Sequence, residues 1–101
     1  MMTDLFLQWN EENHKALNNM GVTIDQILMS KEPTNNVCVA IDYLSKACLG
    51  RVSVWESGNI DIEILDIDSE KVLLYEHYDF DKSPDFWNLL KDYFNIMQHG
   101  S

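Results

Sequence analysis

The strictest alternation of hydrophobic and polar residues in the chain lies at positions 59–64, where isoleucine at every second position alternates with asparagine, aspartate and glutamate. A period of two places the isoleucines on one face of a β-strand and the polar side chains on the other. Residues 49–56 are also rich in β-forming residues, and the Ser-Gly-Asn sequence at 57–59 is typical of a tight turn. The pattern predicts a β-hairpin whose outward-facing side chains include Asp61 and Glu63.

Three other segments have the character of strands. Residues 22–27 alternate weakly, which predicts a short edge strand, whereas residues 37–44 are mostly apolar on both faces, which predicts a more central strand. Residues 71–78 form the last segment, and the polar stretches at 31–36 and 66–70 are predicted turns. The expected core-facing positions of the last strand are Val72, Leu74 and Tyr78. Short connections make successive strands antiparallel neighbours, so the pattern predicts a meander.

Helical periodicity appears near both ends of the chain. Residues 4–20 are predicted to form the first helix, with Thr3 as its N-cap and Gly21 at its end, and the polar middle of this segment indicates that only a stripe is buried. The last helix is predicted to follow Ser83 as N-cap and Pro84 at the first helical position. Its strong amphipathic pattern indicates that it covers one face of the sheet.

The order helix, strands, helix predicts a two-layer α+β fold: an antiparallel four- to five-stranded meander sheet with an N-terminal and a C-terminal helix packed on it. A chain of 101 residues fits one hydrophobic core, so residues 1–101 are expected to form a single domain.

The charge of the chain narrows the class of partner. Seventeen acidic residues against seven basic ones give a formal net charge of −10. Such a field repels nucleic-acid backbones and anionic lipids, so no direct nucleic-acid or membrane partner is expected, and a basic protein is the natural complement. The simpler alternative is that the acidity only keeps a small domain soluble. Residues 1–9 lack the features of a signal peptide and no apolar run reaches the roughly 18 residues that span a bilayer, so a cytoplasmic location is expected.

The sequence contains no recognisable catalytic machinery. Its two cysteines form no Cys-x-x-Cys pair, its three histidines are scattered, and its four glycines are isolated from one another. Asp66, Asp68 and Glu70 have the alternate spacing of a calcium loop, but Lys71 occupies the sixth position, where that loop requires glycine. We therefore predict no catalytic residue, no metal site and no cofactor, and expect a binding protein. A small enzyme with an unrecognised carboxylate pair is the weaker alternative.

The candidate binding residues are carboxylates in and around the predicted hairpin. Asp61 and Glu63 point away from the core, and no lysine or arginine occurs between Val52 and Glu70. The predicted partner-binding set is Glu56, Asp61, Glu63, Asp66 and Asp68. The alternative is the ordinary polar face that antiparallel sheets show to water. At least one tryptophan is expected on this face, and the others are expected in the core; the three tryptophans are Trp9, Trp55 and Trp87.

Two segments resemble the TriTu family of bacterial immunity proteins. The first, residues 50–66, reads GRVSVWESGNIDIEILD, and the second, residues 71–77, reads KVLLYEH. The order of elements is also similar over most of the chain: an opening helix with a tryptophan, a Gly-Val step into a strand, the Gly-Arg-x-x-x-Trp strand, a Ser-Gly turn, an acidic-hydrophobic strand and a closing helix.

The resemblance implies a cytoplasmic antidote in contact-dependent growth inhibition that neutralises the C-terminal toxin domain delivered by neighbouring cells. The toxins of this group are similar to RNases that cleave transfer RNA with elongation factor Tu as an accessory partner. The resemblance therefore implies that this factor is a candidate indirect partner, through the toxin complex, and leaves open whether it contacts this chain. Inhibition would be occlusion of a basic surface, and the family supplies no catalytic residue. The competing hypothesis is an acidic, nucleic-acid-mimicking inhibitor or adaptor of another basic protein.

Overall fold

A computed structural model describes residues 2–30 and 36–101. Its elements are α1 (Met2–Asn19), β1 (Thr23–Met29), β2 (Cys38–Leu44), β3 (Cys48–Trp55), β4 (Asn59–Asp66), β5 (Val72–Asp79) and α2 (Phe86–His99). The strands form one sheet in the order β1-β2-β3-β4-β5, and every neighbouring pair is antiparallel. The predicted α+β fold is confirmed, with five strands and β1 at an edge. The turn predicted at 31–36 lies, except for Asn36, outside the described residues.

The core lies between the sheet and the two helices. Ile60, Ile62 and Ile64 are at most 2% exposed, as the alternation in β4 predicted. They pack in one cluster with Phe6 of α1 and with the buried face of α2. The buried residues of α2 are Phe86, Leu90, Tyr93, Phe94 and Met97.

The start of α1 differs from the prediction. The helix begins at Met2, so Thr3 lies within its first turn instead of capping it. The Thr3 backbone N–H donates a 2.6 Å hydrogen bond to Oε1 of Glu56, which follows β3. A carboxylate from another element therefore satisfies a free amide at this helix terminus, where negative charge is favourable. The polar middle of the helix also contains one buried residue, Asn10, whose side-chain amide contacts the Phe6 carbonyl oxygen and the Tyr43 hydroxyl group.

The fifth strand contains an irregularity that moves Val72 off the core face. Ile64 is paired with Leu74 but Leu65 is paired with Val72, so β5 has one extra residue at this point. An extra residue in a strand makes the side chains beyond it face the opposite side of the sheet, so Val72 and Leu74 face opposite sides. Leu74 and Tyr78 pack against the core as predicted. Val72, which was predicted to join them, is 59% exposed.

The N-cap of α2 is Asp85, two residues after the predicted Ser83. The Asp85 carboxylate accepts hydrogen bonds from the backbone N–H groups of Trp87 at 3.1 Å and Asn88 at 3.2 Å. Both Ser and Asp are good caps, and an ionised carboxylate also interacts favourably with the positive end of the helix dipole. The helix ends at His99 and is capped by Gly100, which has a left-handed conformation.

Candidate partner-binding face

In the described part of the chain, both helices lie on one side of the sheet and leave the other side without a helix. We call this side the outer face. Its members follow from the alternating burial of β3 and β4 and from the cross-strand register. They are Thr23, Gln26, Leu28, Cys38, Ala40, Asp42, Leu44, Leu49, Arg51, Ser53, Trp55, Asn59, Asp61, Glu63, Leu65, Val72, Tyr75, His77 and Asp79. Four carboxylates thus share this face with one guanidinium and one imidazole.

The centre of the outer face carries a hydrogen-bonded ion pair. Nε of Arg51 lies 2.6 Å from Oδ1 of Asp42, and Nη2 of Arg51 lies 3.0 Å from Oδ2. The side-chain amide of Gln26 donates a further hydrogen bond of 2.6 Å to the same carboxylate. Asp42 is only 6% exposed, although it faces away from the helices. The hydrogen bond from Arg51 is the main cause that lowers the pKa of Asp42, so this carboxyl group is held ionised.

Glu63 lies on the other side of Arg51. The two residues are directly paired between β3 and β4. The Arg51 guanidinium is turned towards Asp42, and among the described residues none donates a hydrogen bond to the Glu63 carboxylate. The neighbouring cross-strand pair, Leu49 and Leu65, places two hydrophobic side chains beside this carboxylate. The result is a carboxylate next to an apolar surface, which is a suitable environment for the side chain of a lysine or arginine.

His77 bridges two carboxylates at the β5 side of the outer face. Its Nδ1 contacts the carboxylate of Asp61, its direct cross-strand partner, and its Nε2 lies 3.0 Å from Oδ1 of Asp79. Asp79 also accepts a hydrogen bond from the side-chain amide of Asn59. The hydrogen bond to Asp61, followed by that to Asp79, raises the pKa of His77. Protonation of one imidazole therefore partly compensates two of the four carboxylates on this face.

Trp55 confirms the expectation of at least one tryptophan on the outer face. It is paired with Cys38 and lines a shallow depression with Asn59, Asp61 and His77. Trp9 packs against the core, whereas Trp87 is 42% exposed, so the remaining tryptophans are not both buried as expected. A partly buried aromatic residue next to carboxylates is a common anchor in protein interfaces.

The structure brings together only two of the five predicted contact residues. Asp61 and Glu63 lie on the outer face, as the alternation predicted. Glu56 contacts the first turn of α1, and the Thr3 backbone N–H lowers its pKa. The β4 strand of eight residues separates Glu56 from the turn at its other end, a distance of about 23 Å at 3.3 Å per residue.

Asp66 and Asp68 lie at that other end. Asp66 is paired with Cys48, one residue beyond the Leu49–Leu65 pair, and lines a separate depression at the end of the sheet with Leu49, Leu65, Ile67 and Glu70. It accepts hydrogen bonds of 2.8 Å from the backbone N–H and the hydroxyl group of Ser69, and the backbone bond is the main cause that lowers its pKa. Asp68 is exposed in the same turn. The five predicted residues therefore do not form one patch. The outer face owes two of its four carboxylates to the predicted residues Asp61 and Glu63 and the other two to Asp42 and Asp79.

The sequence prediction missed Asp42, Arg51, His77 and Asp79. Asp42 and Arg51 stand nine positions apart, and Asp61 and His77 sixteen, so their contacts depend on the register between strands. The available signal was the alternation itself, because Arg51 and His77 occupy the outward-facing phase of their strands. Within residues 2–30 and 36–101, no group of three or more His, Cys, Asp or Glu side chains is arranged to hold a metal ion. No helix there has the length and apolar character needed to cross a membrane.

The family comparison agrees with the resemblance seen in the sequence. The model of a family described as immunity protein TriTu matches residues 4–96. The matched region contains all five strands and most of both helices. No match to a curated protein was found.

Proposed function

Because this chain belongs to the TriTu family of immunity proteins, we propose that it neutralises a cognate toxin by covering a basic surface of that toxin with the outer face of the sheet. The toxin is a C-terminal RNase domain that cleaves transfer RNA, and elongation factor Tu reaches this chain through the toxin complex. Immunity is then occlusion in the cytoplasm, and this chain catalyses no reaction.

The observation that carries the proposal is the composition of the outer face. Carboxylates from β2, β4 and β5 lie beside Trp55, Tyr75 and a row of leucines, on the side of the sheet that no described helix covers. A groove that binds RNA must be basic, because it has to neutralise phosphates. Carboxylates attract such a groove, whereas the aromatic and aliphatic side chains supply surface that can be buried in a complex. The net charge of −10 adds long-range attraction to the same partner.

The outer face is also held in place before binding. Asp42 is fixed by Arg51 and Gln26, and Asp61 is fixed by His77. Ordered side chains lose less conformational entropy on association, so a larger part of the interaction energy appears as affinity.

The test is a binding titration against the toxin domain encoded beside this gene, combined with a transfer-RNA cleavage assay at two salt concentrations. The variant Asp61→Lys/Glu63→Lys reverses two charges on the outer face. The matched control, Glu11→Lys/Asp92→Lys, makes the same change in net charge at exposed positions of α1 and α2. We expect the outer-face variant to bind the toxin at least ten-fold more weakly and to inhibit its transfer-RNA cleavage less. The control variant should lose much less affinity.

Equal losses of affinity in both double variants would mean that only the overall charge matters. An outer-face variant with unchanged affinity would place the contact elsewhere. Either result would refute the proposed face. Absence of any binding to the neighbouring toxin would refute the proposed function itself and would favour an acidic inhibitor or adaptor of another basic protein.

A further inference from the structure

The outer face contains a cavity of about 240 Å³ between β2, β3 and β4. Its lining consists of Asp42, Leu49, Gly50, Arg51, Glu63 and Leu65. Two cross-strand pairs build it, since Leu49 is opposite Leu65 and Arg51 is opposite Glu63. One end of the cavity is therefore apolar and the other is charged.

The charged end is only partly neutralised, because Arg51 interacts electrostatically with both Asp42 and Glu63 and cannot balance two carboxylates. Arg51 is turned towards β2, where it makes two hydrogen bonds with Asp42 and where Gln26 adds a third to the same carboxylate. Glu63 faces the cavity from β4 without a hydrogen-bond donor among the described residues. Two carboxylates and one guanidinium line the cavity, so its charge is negative before the field of the whole chain is added.

The apolar end is accessible to a partner. Leu49 is 39% exposed at the rim, and Leu65 is half-buried beside it. The backbone below is attached to the core, because the Tyr93 hydroxyl group donates a 3.0 Å hydrogen bond to the Glu63 carbonyl oxygen from the opposite side of the sheet. The core thus holds the backbone position from which the Glu63 side chain extends beside the two leucines.

We propose that this cavity receives one lysine or arginine side chain of the toxin, an inference that rests on the function proposed above. The aliphatic part of that side chain packs between Leu49 and Leu65, and its cationic group binds the Glu63 carboxylate. Long basic side chains combine an apolar stem with a charged end, which is the combination that this cavity presents. An acidic side chain could pair with Arg51, but it would lie against two carboxylates, so charge complementarity favours the cation.

The first test compares two neutralised carboxylates on the same strand. Glu63→Gln removes the charge at the cavity with little change in shape, and Asp61→Asn does the same one cross-strand row away. We expect Glu63→Gln to weaken toxin binding at least ten-fold, mainly through faster dissociation, because it removes the partner of an enclosed cation. Asp61→Asn should act mainly on the association rate and by less than about three-fold. Equal effects of the two variants would overturn the cavity proposal.

The second test fills the cavity. Leu49→Phe adds volume between the leucines and should weaken binding at least ten-fold, whereas Leu5→Phe makes the same change at an exposed position of α1 and should leave the affinity within about two-fold. Urea unfolding of both variants verifies that they fold. A Leu49→Phe variant that is folded and binds like the wild type would mean that the cavity is empty in the complex.

The decisive measurement is a set of double-mutant cycles between Glu63→Gln and replacement of each toxin lysine and arginine by methionine. One toxin position should show coupling, so that Glu63→Gln no longer weakens binding once that cation is absent. If no position couples while Asp61→Lys/Glu63→Lys still abolishes binding, the outer face remains the contact and only the cavity proposal fails. If Arg51→Gln weakens binding and Glu63→Gln strengthens it, the occupant is acidic and the proposal is also overturned.

Discussion

The hydroxyl group of Tyr93 lies 3.0 Å from the backbone carbonyl oxygen of Glu63, so a buried side chain of α2 is hydrogen-bonded to the strand that carries the proposed contact residue. Burial raises the pKa of Tyr93, which keeps the hydroxyl group protonated and able to donate. Tyr93→Phe should lower the free energy of unfolding by about 1 kcal/mol, the usual net value of one hydrogen bond. Urea unfolding measures this. Tyr75→Phe is the control, because Tyr75 is 60% exposed and its change should stay within about 0.5 kcal/mol.

Gly50 allows Tyr93 to make this contact. A Cβ atom at position 50 would clash with the Tyr93 hydroxyl group and would lie 2.8 Å from Sδ of Met97. Gly50→Ala should therefore cost about 1–3 kcal/mol, the usual penalty for overpacking a core. Part of this cost should disappear in the Tyr93→Phe background, because the closest atom is then absent. Strict additivity of the two changes in urea unfolding would show that the clash with Tyr93 is relieved in another way.

The elements of the fold could be predicted because hydrophobic spacing determines them locally. Alternating isoleucines identified β4, and burial of these residues against two amphipathic helices left Asp61 and Glu63 outside. The errors have local causes as well. The irregularity opposite Leu65 places Val72 on the exposed side of the strand. The N-cap of α2 is Asp85 and not the predicted Ser83, and both residue types are good caps, so the sequence did not distinguish them.

The candidate site was predicted only in part because it depends on which residues face each other across strands. Asp61 contacts His77 and Asp42 contacts Arg51 only in the observed register, and alternation alone does not fix a register between segments that far apart. Glu56 and Asp66 are acidic and close to the hairpin in sequence, but Glu56 accepts a hydrogen bond from the backbone of Thr3 in α1 and Asp66 accepts one from the backbone of Ser69 in the adjacent turn.

Arg51 stabilises a carboxylate that is only 6% exposed. Arg51→Ala leaves Asp42 with Gln26 as its remaining side-chain donor, and we expect a loss of about 1–3 kcal/mol at neutral pH, smaller than for a fully buried pair because half of the Arg51 side chain is exposed. Arg51→Lys should retain only part of the stability that Arg51→Ala loses, because an ammonium group cannot form the paired hydrogen bonds of a guanidinium.

The ion pair between Arg51 and Asp42 also predicts that the free energy of unfolding depends on pH in the acidic range. The pKa of Asp42 is lowered in the folded state, so its stabilising contribution is complete above the ordinary aspartate value of 3.8 and is lost as the pH falls through the lowered pKa. The difference in unfolding free energy between wild type and Arg51→Ala should therefore shrink below pH 3.8. Urea titrations at several acidic pH values measure it. A constant difference would mean that Arg51 stabilises the fold by packing and not through Asp42.

His77 predicts opposite effects of pH on stability and on toxin binding. Its pKa is raised by Asp61 and Asp79, so its favourable contribution to folding is complete below the ordinary histidine value of 6.5 and is lost as the pH rises through the raised pKa. The same deprotonation removes a positive charge from the outer face, which becomes more attractive to a basic toxin. Above pH 6.5, wild type should therefore lose stability relative to His77→Gln while its association rate with the toxin increases.

The comparison with His77→Gln separates this titration from that of the toxin, which is the same in both measurements. Stopped-flow association rates between pH 6 and pH 9 should show a step in wild type that is absent in His77→Gln. The control variant, His14→Gln, changes an exposed histidine of α1 whose ring is hydrogen-bonded to the Glu11 carbonyl oxygen in its own helix, and it should retain the step. A step that persists in His77→Gln would assign the pH dependence to the toxin, and a step without a matching change in stability would mean that His77 does not interact with Asp61 and Asp79 in solution.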